Sequence, residues 1–181
     1  MIPPRVFWSL ALLSFAACGP GSKSTESETP TPVVPDAIRV PSGQRPFLKV
    51  LGKGVQIYTC KADRAGAFAW ALKAPEATLL DGAGTPVGTH YAGPTWEAKD
   101  GSKGVGEVQA RADSPHSTAI PWLLLRTKST SGGGTLGRTT FIHRLDTVGG
   151  QAPAGGCDAS KADHETRVDY SATYYFYTAA L

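Results

Sequence analysis

The sequence predicts an all-β domain, either an antiparallel sandwich or a partly closed barrel of about eight or nine strands with little helix. Three observations favour this fold class. The 181 residues include 21 Gly and 14 Pro, which separate many short apolar runs. Several of these runs alternate along the chain with the two-residue period of a strand. After Cys18, no stretch of ten or more residues keeps apolar side chains at helical spacing.

Residues 1–17 are interpreted as a lipoprotein signal peptide. The apolar stretch of residues 6–17 is shorter than the roughly 20 residues that a transmembrane helix needs. It leads into Phe-Ala-Ala-Cys, which resembles the bacterial lipobox, where the peptidase cleaves before a lipidated cysteine. The resemblance implies lipidation of Cys18, and Gly19 after it implies sorting to the outer membrane. Ordinary cleavage nearby, with Cys18 left as a free thiol, is the alternative.

Residues 18–36 are predicted to form a flexible tether. They are rich in Ser, Thr, Glu and Pro, which cannot bury enough surface to offset the entropy lost on ordering. Residues 37–181 then form a single β-rich domain. This arrangement predicts an extracytoplasmic protein held to a membrane by its lipid anchor.

Two cysteines remain once Cys18 is assigned to the lipid anchor. Cys60 and Cys157 are predicted to form a disulfide, because thiols pair in the oxidising compartment to which a signal peptide delivers a protein. The alternative is that one or both are buried free cysteines. The sequence has no C-x-x-C spacing, which argues against a redox or zinc-finger role.

The domain contains a series of candidate strands. Residues 46–51 and 55–60 are interpreted as a hairpin around a Gly-Lys-Gly turn. Residues 67–72 alternate strictly, so Phe68, Trp70 and Leu72 are predicted to face the core. Further strands are predicted, in order, at residues 76–80, 87–98 with an interruption, 105–111, 120–128, 139–147 and 168–178, with turns at 81–84 and 100–103 and a short helical stretch at 159–165.

The segment 90–100 is the candidate ligand-binding site. It brings His90, Tyr91, Trp96 and Asp100 together around a Gly-Pro kink. Aromatic faces beside polar groups suit the binding of a sugar or another small molecule. The alternative interpretation is structural: Trp96 in the core, His90 as a satisfied hydrogen-bonding residue and Asp100 in a turn.

The order of several segments carries a family resemblance. The segments are residues 54–60 (GVQIYTC), 80–96, 100–102 (DGS), 121–125 (PWLLL), 149–157 and 170–177 (YSATYYFY). Together they resemble a family of secreted bacterial and fungal proteins, domain of unknown function 3455, over about residues 36–178. The resemblance implies no activity. Some family members carry a malate dehydrogenase label, but Gly52-Lys53-Gly54 precedes a candidate strand and lacks the third glycine of a dinucleotide site.

Composition and spacing exclude several partners and cofactors. Lys and Arg are scattered and the net charge is only +3, so no nucleic-acid partner is expected. The four histidines fall in separate segments, and no P-loop is present, so neither a metal nor another cofactor is predicted.

The expected function is that of a non-catalytic envelope lipoprotein, structural or binding a small molecule or carbohydrate. The alternative is a small extracytoplasmic hydrolase or lyase with His90 as general base, since an imidazole near its ordinary pKa suits that task.

Overall fold

The structure of the protein, a computed structural model, describes residues 29–180. Eight antiparallel strands follow one another in sequence around the sheet, and the pairing of the first strand with the last closes it into a barrel. The strands are β1 (Gln44–Ala62), β2 (Phe68–Leu80), β3 (Pro86–Tyr91), β4 (Thr95–Ala98), β5 (Lys103–Ala112), β6 (Trp122–Ser131), β7 (Phe141–Gly149) and β8 (Glu165–Ala179). The all-β prediction is confirmed.

Little helix accompanies the barrel, as expected. Two one-turn 3-10 helices cover Asp36–Ile38 and Ala159–Lys161. In residues 29–180 no helix has the length and apolar character needed to cross a lipid bilayer. The predicted signal peptide, the predicted lipidation site Cys18 and the first part of the predicted tether, residues 18–28, lie outside the described residues.

Side chains alternate between the inside and the outside of the barrel, as closure requires. The interior holds a buried cluster contributed by nearly every strand, and β8 supplies Tyr170, Ala172, Tyr174 and Phe176 to it. These four residues alternate along β8, so their side chains lie on one face of the strand. The interior of the barrel is therefore the main core of the domain.

A second apolar cluster lies on the outer surface of the barrel, beneath the segment that precedes β1. Ile38 packs there against Leu124 of β6 and Tyr177 of β8. His143 fixes this segment, since its two ring nitrogens bond to the Ile38 carbonyl at 2.7 Å and to the Tyr177 hydroxyl at 3.0 Å. The segment thus covers apolar side chains that the sheet alone would expose.

The hairpin predicted around Gly52-Lys53-Gly54 is wrong, because β1 runs through these residues without a turn. It pairs with β2 on one side and β8 on the other. A Cβ atom at Gly52 would lie 2.5 Å from Cε2 of Tyr174, and one at Gly54 would lie 2.6 Å from Cα of Ala77. These glycines therefore serve the close packing of neighbouring chain segments rather than a reversal of the chain.

The core face predicted for residues 67–72 is also wrong. Phe68 and Trp70 are only half-buried, and Leu72 is 57% exposed. The reason is that β3 pairs only with the end of β2, from Ala77 to Leu80, so the first part of β2 extends beyond its neighbour. Trp70 instead packs at the margin of the barrel, where its indole nitrogen donates to the Gly155 carbonyl at 2.9 Å.

The predicted disulfide is present in the structure. Cys60, near the end of β1 and fully buried, is bonded to Cys157 in the loop between β7 and β8. The two residues are 97 positions apart in sequence. The bond therefore ties the long 150–164 loop to the body of the barrel.

Candidate functional site

A cavity of about 240 Å³ opens into one end of the barrel. Two apolar side chains at its mouth, Leu72 and Val108, are 57% and 40% exposed. The other lining residues are Gln56, Lys73, Ala74, Pro75, His90, Gly93, Pro94, Trp96, Leu123, Leu125 and Arg144. Its walls are mostly apolar and a few polar groups converge deeper inside, which is the usual composition of a small-molecule site.

The floor of the cavity is built by the hairpin of β3 and β4. His90 and Trp96 face each other across this hairpin, so both side chains point into the barrel. Their rings are stacked with centroids 4.3 Å apart and an interplanar angle of 12°. Tyr174 from β8 packs edge-on against both rings, at 5.2 Å and 5.4 Å. This packing holds the two cavity-lining rings in one orientation.

The protonation of His90 follows from its burial. The side chain is 3% exposed, and Nδ1 lies 2.8 Å from the carbonyl oxygen of Thr95, to which it donates. Burial lowers the pKa of His90 from 6.5 to about 4, and the bond to Thr95 opposes only part of this shift. The imidazole is therefore neutral near pH 7, with Nε2 as its hydrogen-bond acceptor.

This lowered pKa makes stability depend on pH. Between pH 6.5 and about 4, unfolded His90 binds a proton while folded His90 does not, so the free energy of unfolding falls as the pH falls. At about 1.36 kcal/mol per pKa unit, His90 alone is expected to cost about 3 kcal/mol at pH 4. Urea unfolding of His90→Asn between pH 4 and 8 is expected to show a flatter profile than wild type.

The exposed His116→Asn serves as the control for this experiment and is expected to keep the wild-type profile. Some pH dependence is expected to remain in His90→Asn, because burial also lowers the pKa of His143. If the free energy of unfolding depended on pH equally in wild type and in His90→Asn, the lowered pKa of His90 would be contradicted.

Two residues that line the cavity each carry a buried donor that lacks a hydrogen-bond partner in residues 29–180. These donors are Nε2 of Gln56 and the indole nitrogen of Trp96, and each side chain is 1% exposed. Three other buried polar side-chain atoms in residues 29–180 also lack a partner, but their residues do not line this cavity. An unpaired buried donor costs about 1–3 kcal/mol, so the residues of the cavity wall hold unmet hydrogen-bonding capacity.

Arg144 adds a positive charge to the same cavity. It projects inward from β7, where its Nε and Nη2 atoms donate to the Pro121 carbonyl at 3.2 Å and 2.8 Å. Within residues 29–180, no carboxylate forms an ion pair with this guanidinium. Burial lowers the pKa of Arg144. Electrostatic interactions with the nearby hydroxyl groups of Tyr174, Tyr170 and Tyr58 raise this pKa and so oppose part of the shift.

The structure places Tyr91 away from His90 and Trp96. Tyr91 follows His90 in β3 and points outward, where its hydroxyl donates to Glu97 at 2.7 Å. Lys103 of β5 contacts the same carboxylate at 3.1 Å, and these two bonds lower the pKa of Glu97. The three side chains form a bonded group on the outer surface.

Asp100 lies towards the opposite end of the barrel. Its carboxylate accepts hydrogen bonds from the backbone and hydroxyl groups of Ser102 and Thr135, which hold the pKa of Asp100 well below its usual range. Asp100 thereby connects the turn between β4 and β5 to the loop between β6 and β7. It also lines a second cavity of about 330 Å³, whose walls are nearly all apolar. None of the unpaired buried donors described above lines that second cavity.

Sequence reasoning therefore found two residues of the cavity, His90 and Trp96, and missed Gln56 and Arg144. Gln56 lies in the strand segment VQIYTC, and Arg144 lies two positions after Ile142. Strand alternation places Arg144 on the same inward face as Ile142, which was the available signal. In the part of the chain that the structure describes, no three or more His, Cys, Asp or Glu side chains are arranged to hold a metal ion.

Comparison with known proteins places nearly the whole barrel in one family. A family model described as "Protein of unknown function (DUF3455)" matches residues 41–178. Searches of curated proteins and of solved structures found no match to this chain.

Proposed function

This chain belongs to the DUF3455 family, and from that premise we propose that it binds a small molecule without catalysis, in the barrel cavity lined by His90 and Trp96. The observation that carries the proposal is a pair of unpaired donors, Gln56 Nε2 and Trp96 Nε1, buried in the wall of a cavity with an apolar mouth. A ligand acceptor would recover the hydrogen bonds that the protein leaves unmade.

The geometry favours a small apolar molecule over a carbohydrate. Trp96 is 1% exposed and His90 stacks on its ring, so the indole offers no open face on which a sugar could lie. At about 30 Å³ per non-hydrogen atom, which is the share of a water molecule in the liquid, the cavity holds about eight atoms. A somewhat longer ligand would extend past Leu72 and Val108 at the mouth.

The alternative function, a hydrolase or lyase with His90 as general base, has less support. Such a residue is usually oriented by an acid and works best with a pKa near the working pH. His90 is instead bonded to the backbone carbonyl of Thr95, and its pKa is about 4. Both features suit a rigid wall of a binding site.

The location of the protein is also part of the proposal. We propose an extracytoplasmic lipoprotein held to the outer membrane through Cys18, with residues 18–36 as its tether. The Cys60–Cys157 disulfide is compatible with an oxidising compartment, and residues 29–35 form neither helix nor strand. The lipid anchor would keep the barrel close to the membrane surface.

Substitutions at the cavity mouth test the binding function. A panel of aliphatic and aromatic acids, amides and alcohols of about eight to twelve non-hydrogen atoms is screened by thermal shift. A ligand at 100 times its Kd stabilises a protein by about 2.7 kcal/mol, so binders are expected to raise the Tm by about 5 °C or more. The shift is expected to fall sharply in Leu72→Glu and Val108→Glu, whose exposed positions tolerate polar side chains.

Val148→Glu provides the matched control. Val148 is as exposed as Leu72, at 56%, but it lies outside the cavity lining. The control is expected to keep the full thermal shift. Binders whose shifts are equal in the mouth variants and in the control would contradict binding in this cavity, as would a panel without any binder.

A further inference from the structure

We infer that the ligand is an acid, with a carboxylate that binds Arg144 and an apolar body that lies against the cavity wall. The inference rests on the proposed function, because it assigns a ligand class to the same cavity. It adds a chemical identity, an orientation and a specificity-determining residue.

The charges around the cavity favour an anion. Its lining includes two basic side chains, Lys73 and Arg144, and no carboxylate. Lys73 is paired with Glu165 at the outer surface, but Arg144 has no such partner in residues 29–180. A partly desolvated charge without a counter-ion is costly, and a ligand anion would reduce that cost.

The tyrosines close to Arg144 do not supply the missing negative charge. Burial raises the pKa of Tyr58, Tyr170 and Tyr174 above the ordinary value, so all three are neutral hydroxyls near pH 7. The Tyr58 hydroxyl donates to the Gly150 carbonyl at 2.6 Å, and the other two hydroxyls contact each other at 3.2 Å. No side chain in residues 29–180 therefore neutralises the charge of Arg144.

The hydrogen-bonding capacity of the cavity also matches a carboxylate. A guanidinium has five N–H donors in a planar fork, and Arg144 uses two of them on Pro121. The two unpaired atoms of Gln56 and Trp96 are donors as well. An ionised carboxylate has only acceptors and can accept two parallel bonds from one guanidinium, whereas an amide or alcohol head carries no charge to offset that of Arg144.

The remaining walls suit the apolar body of such an acid. Leu123 and Leu125 of β6 line the inner part of the cavity, and Leu72 and Val108 line its exposed mouth. An alkyl or aryl group placed between them would shield the two exposed side chains from water, at about 25 cal/mol per Å² of apolar surface removed. The head group then points inward and the tail points outward.

Calorimetric titration of the wild-type protein with octanoate, octanamide and octylamine tests the inference. These probes share an eight-carbon chain and differ in head group. Octanoate is expected to bind 10- to 100-fold more tightly than octanamide, and octylamine is expected to show no binding. This comparison needs no substitution and therefore does not depend on how a variant folds.

Substitution of Arg144 then tests its role. In Arg144→Gln, octanoate is expected to lose at least tenfold in affinity and octanamide less than threefold, while Arg144→Lys retains a preference for octanoate. Arg126→Gln, at an exposed position on β6, is the matched control and is expected to bind as wild type. A melting curve without ligand shows which variants are folded. If Arg144→Gln does not fold, the affinities of Arg144→Lys and of wild type for the three probes test the role of Arg144 instead.

The outcomes separate the two proposals. Equal affinity for octanoate and octanamide, both weakened by Leu72→Glu, would overturn the acid inference and leave the binding function intact. A preference for octanoate that persists in folded Arg144→Gln would overturn the role of Arg144. Failure of all three probes, together with the wider panel, would overturn the binding function itself.

Discussion

Replacement of Cys60 and Cys157 by Ser is expected to lower the free energy of unfolding by about 3–5 kcal/mol. The bond joins residues 97 positions apart. For a loop of about 100 residues, the chain-entropy model gives about 4.7 kcal/mol of stabilisation, and measured values are commonly smaller. The measurement is urea unfolding of the double variant beside oxidised and reduced wild type.

The reduced wild type is expected to unfold at the same urea concentration as the double variant, because both lack the same constraint on the unfolded chain. A reducing agent is expected to leave the double variant unchanged, which controls for other effects of the reagent. Coincident curves for oxidised and reduced wild type would show that the bond contributes nothing to stability.

The second large effect is expected at Trp96. The side chain is 1% exposed and packs against His90, Tyr174 and Phe176, so Trp96→Ala leaves a void in the middle of the barrel. Truncation of a buried Trp to Ala typically costs about 3–5 kcal/mol. Urea unfolding measures this cost, and Trp70→Ala, at a half-buried position on β2, is expected to lose roughly half as much or less.

Trp96→Phe separates volume from hydrogen bonding. The indole nitrogen has no partner in residues 29–180, so the substitution is expected to remove no hydrogen bond. The smaller ring is expected to lower the free energy of unfolding by roughly 1–2 kcal/mol because of the lost volume. If Trp96→Phe were as damaging as Trp96→Ala, the indole N–H would be contributing a bond that this structure lacks.

Alternation and turn residues were sufficient to predict the fold class and most of the strands. They failed where a local pattern had two physical explanations. The local pattern around Gly52 and Gly54 predicts a turn, yet the close approach of Tyr174 and Ala77 requires these glycines inside a continuous strand. Only the pairing of β1 with both of its neighbours distinguishes these cases, and that pairing is non-local.

The candidate site was predictable in part for a similar reason. His90 and Trp96 face each other across a short hairpin, so their nearness in sequence reflects their nearness in space. Tyr91 is as near in sequence, but strand alternation turns its side chain to the outer surface. Arg144 is far away in sequence and reaches the cavity only because β7 occupies a particular place in the closed barrel.

A small molecule that occupies the cavity lined by His90 and Trp96 is expected to change the surroundings of the Trp96 indole. The most direct test follows the indole N–H resonance of Trp96 by NMR during an octanoate titration, with the signal assigned by its loss in Trp96→Phe. We expect a saturable shift of this resonance with the calorimetric Kd, while the resonance of the Trp70 indole, which is already bonded to Gly155, keeps its position. A Trp96 resonance that stays fixed while octanoate binds elsewhere, or fails to bind, would contradict binding in this cavity.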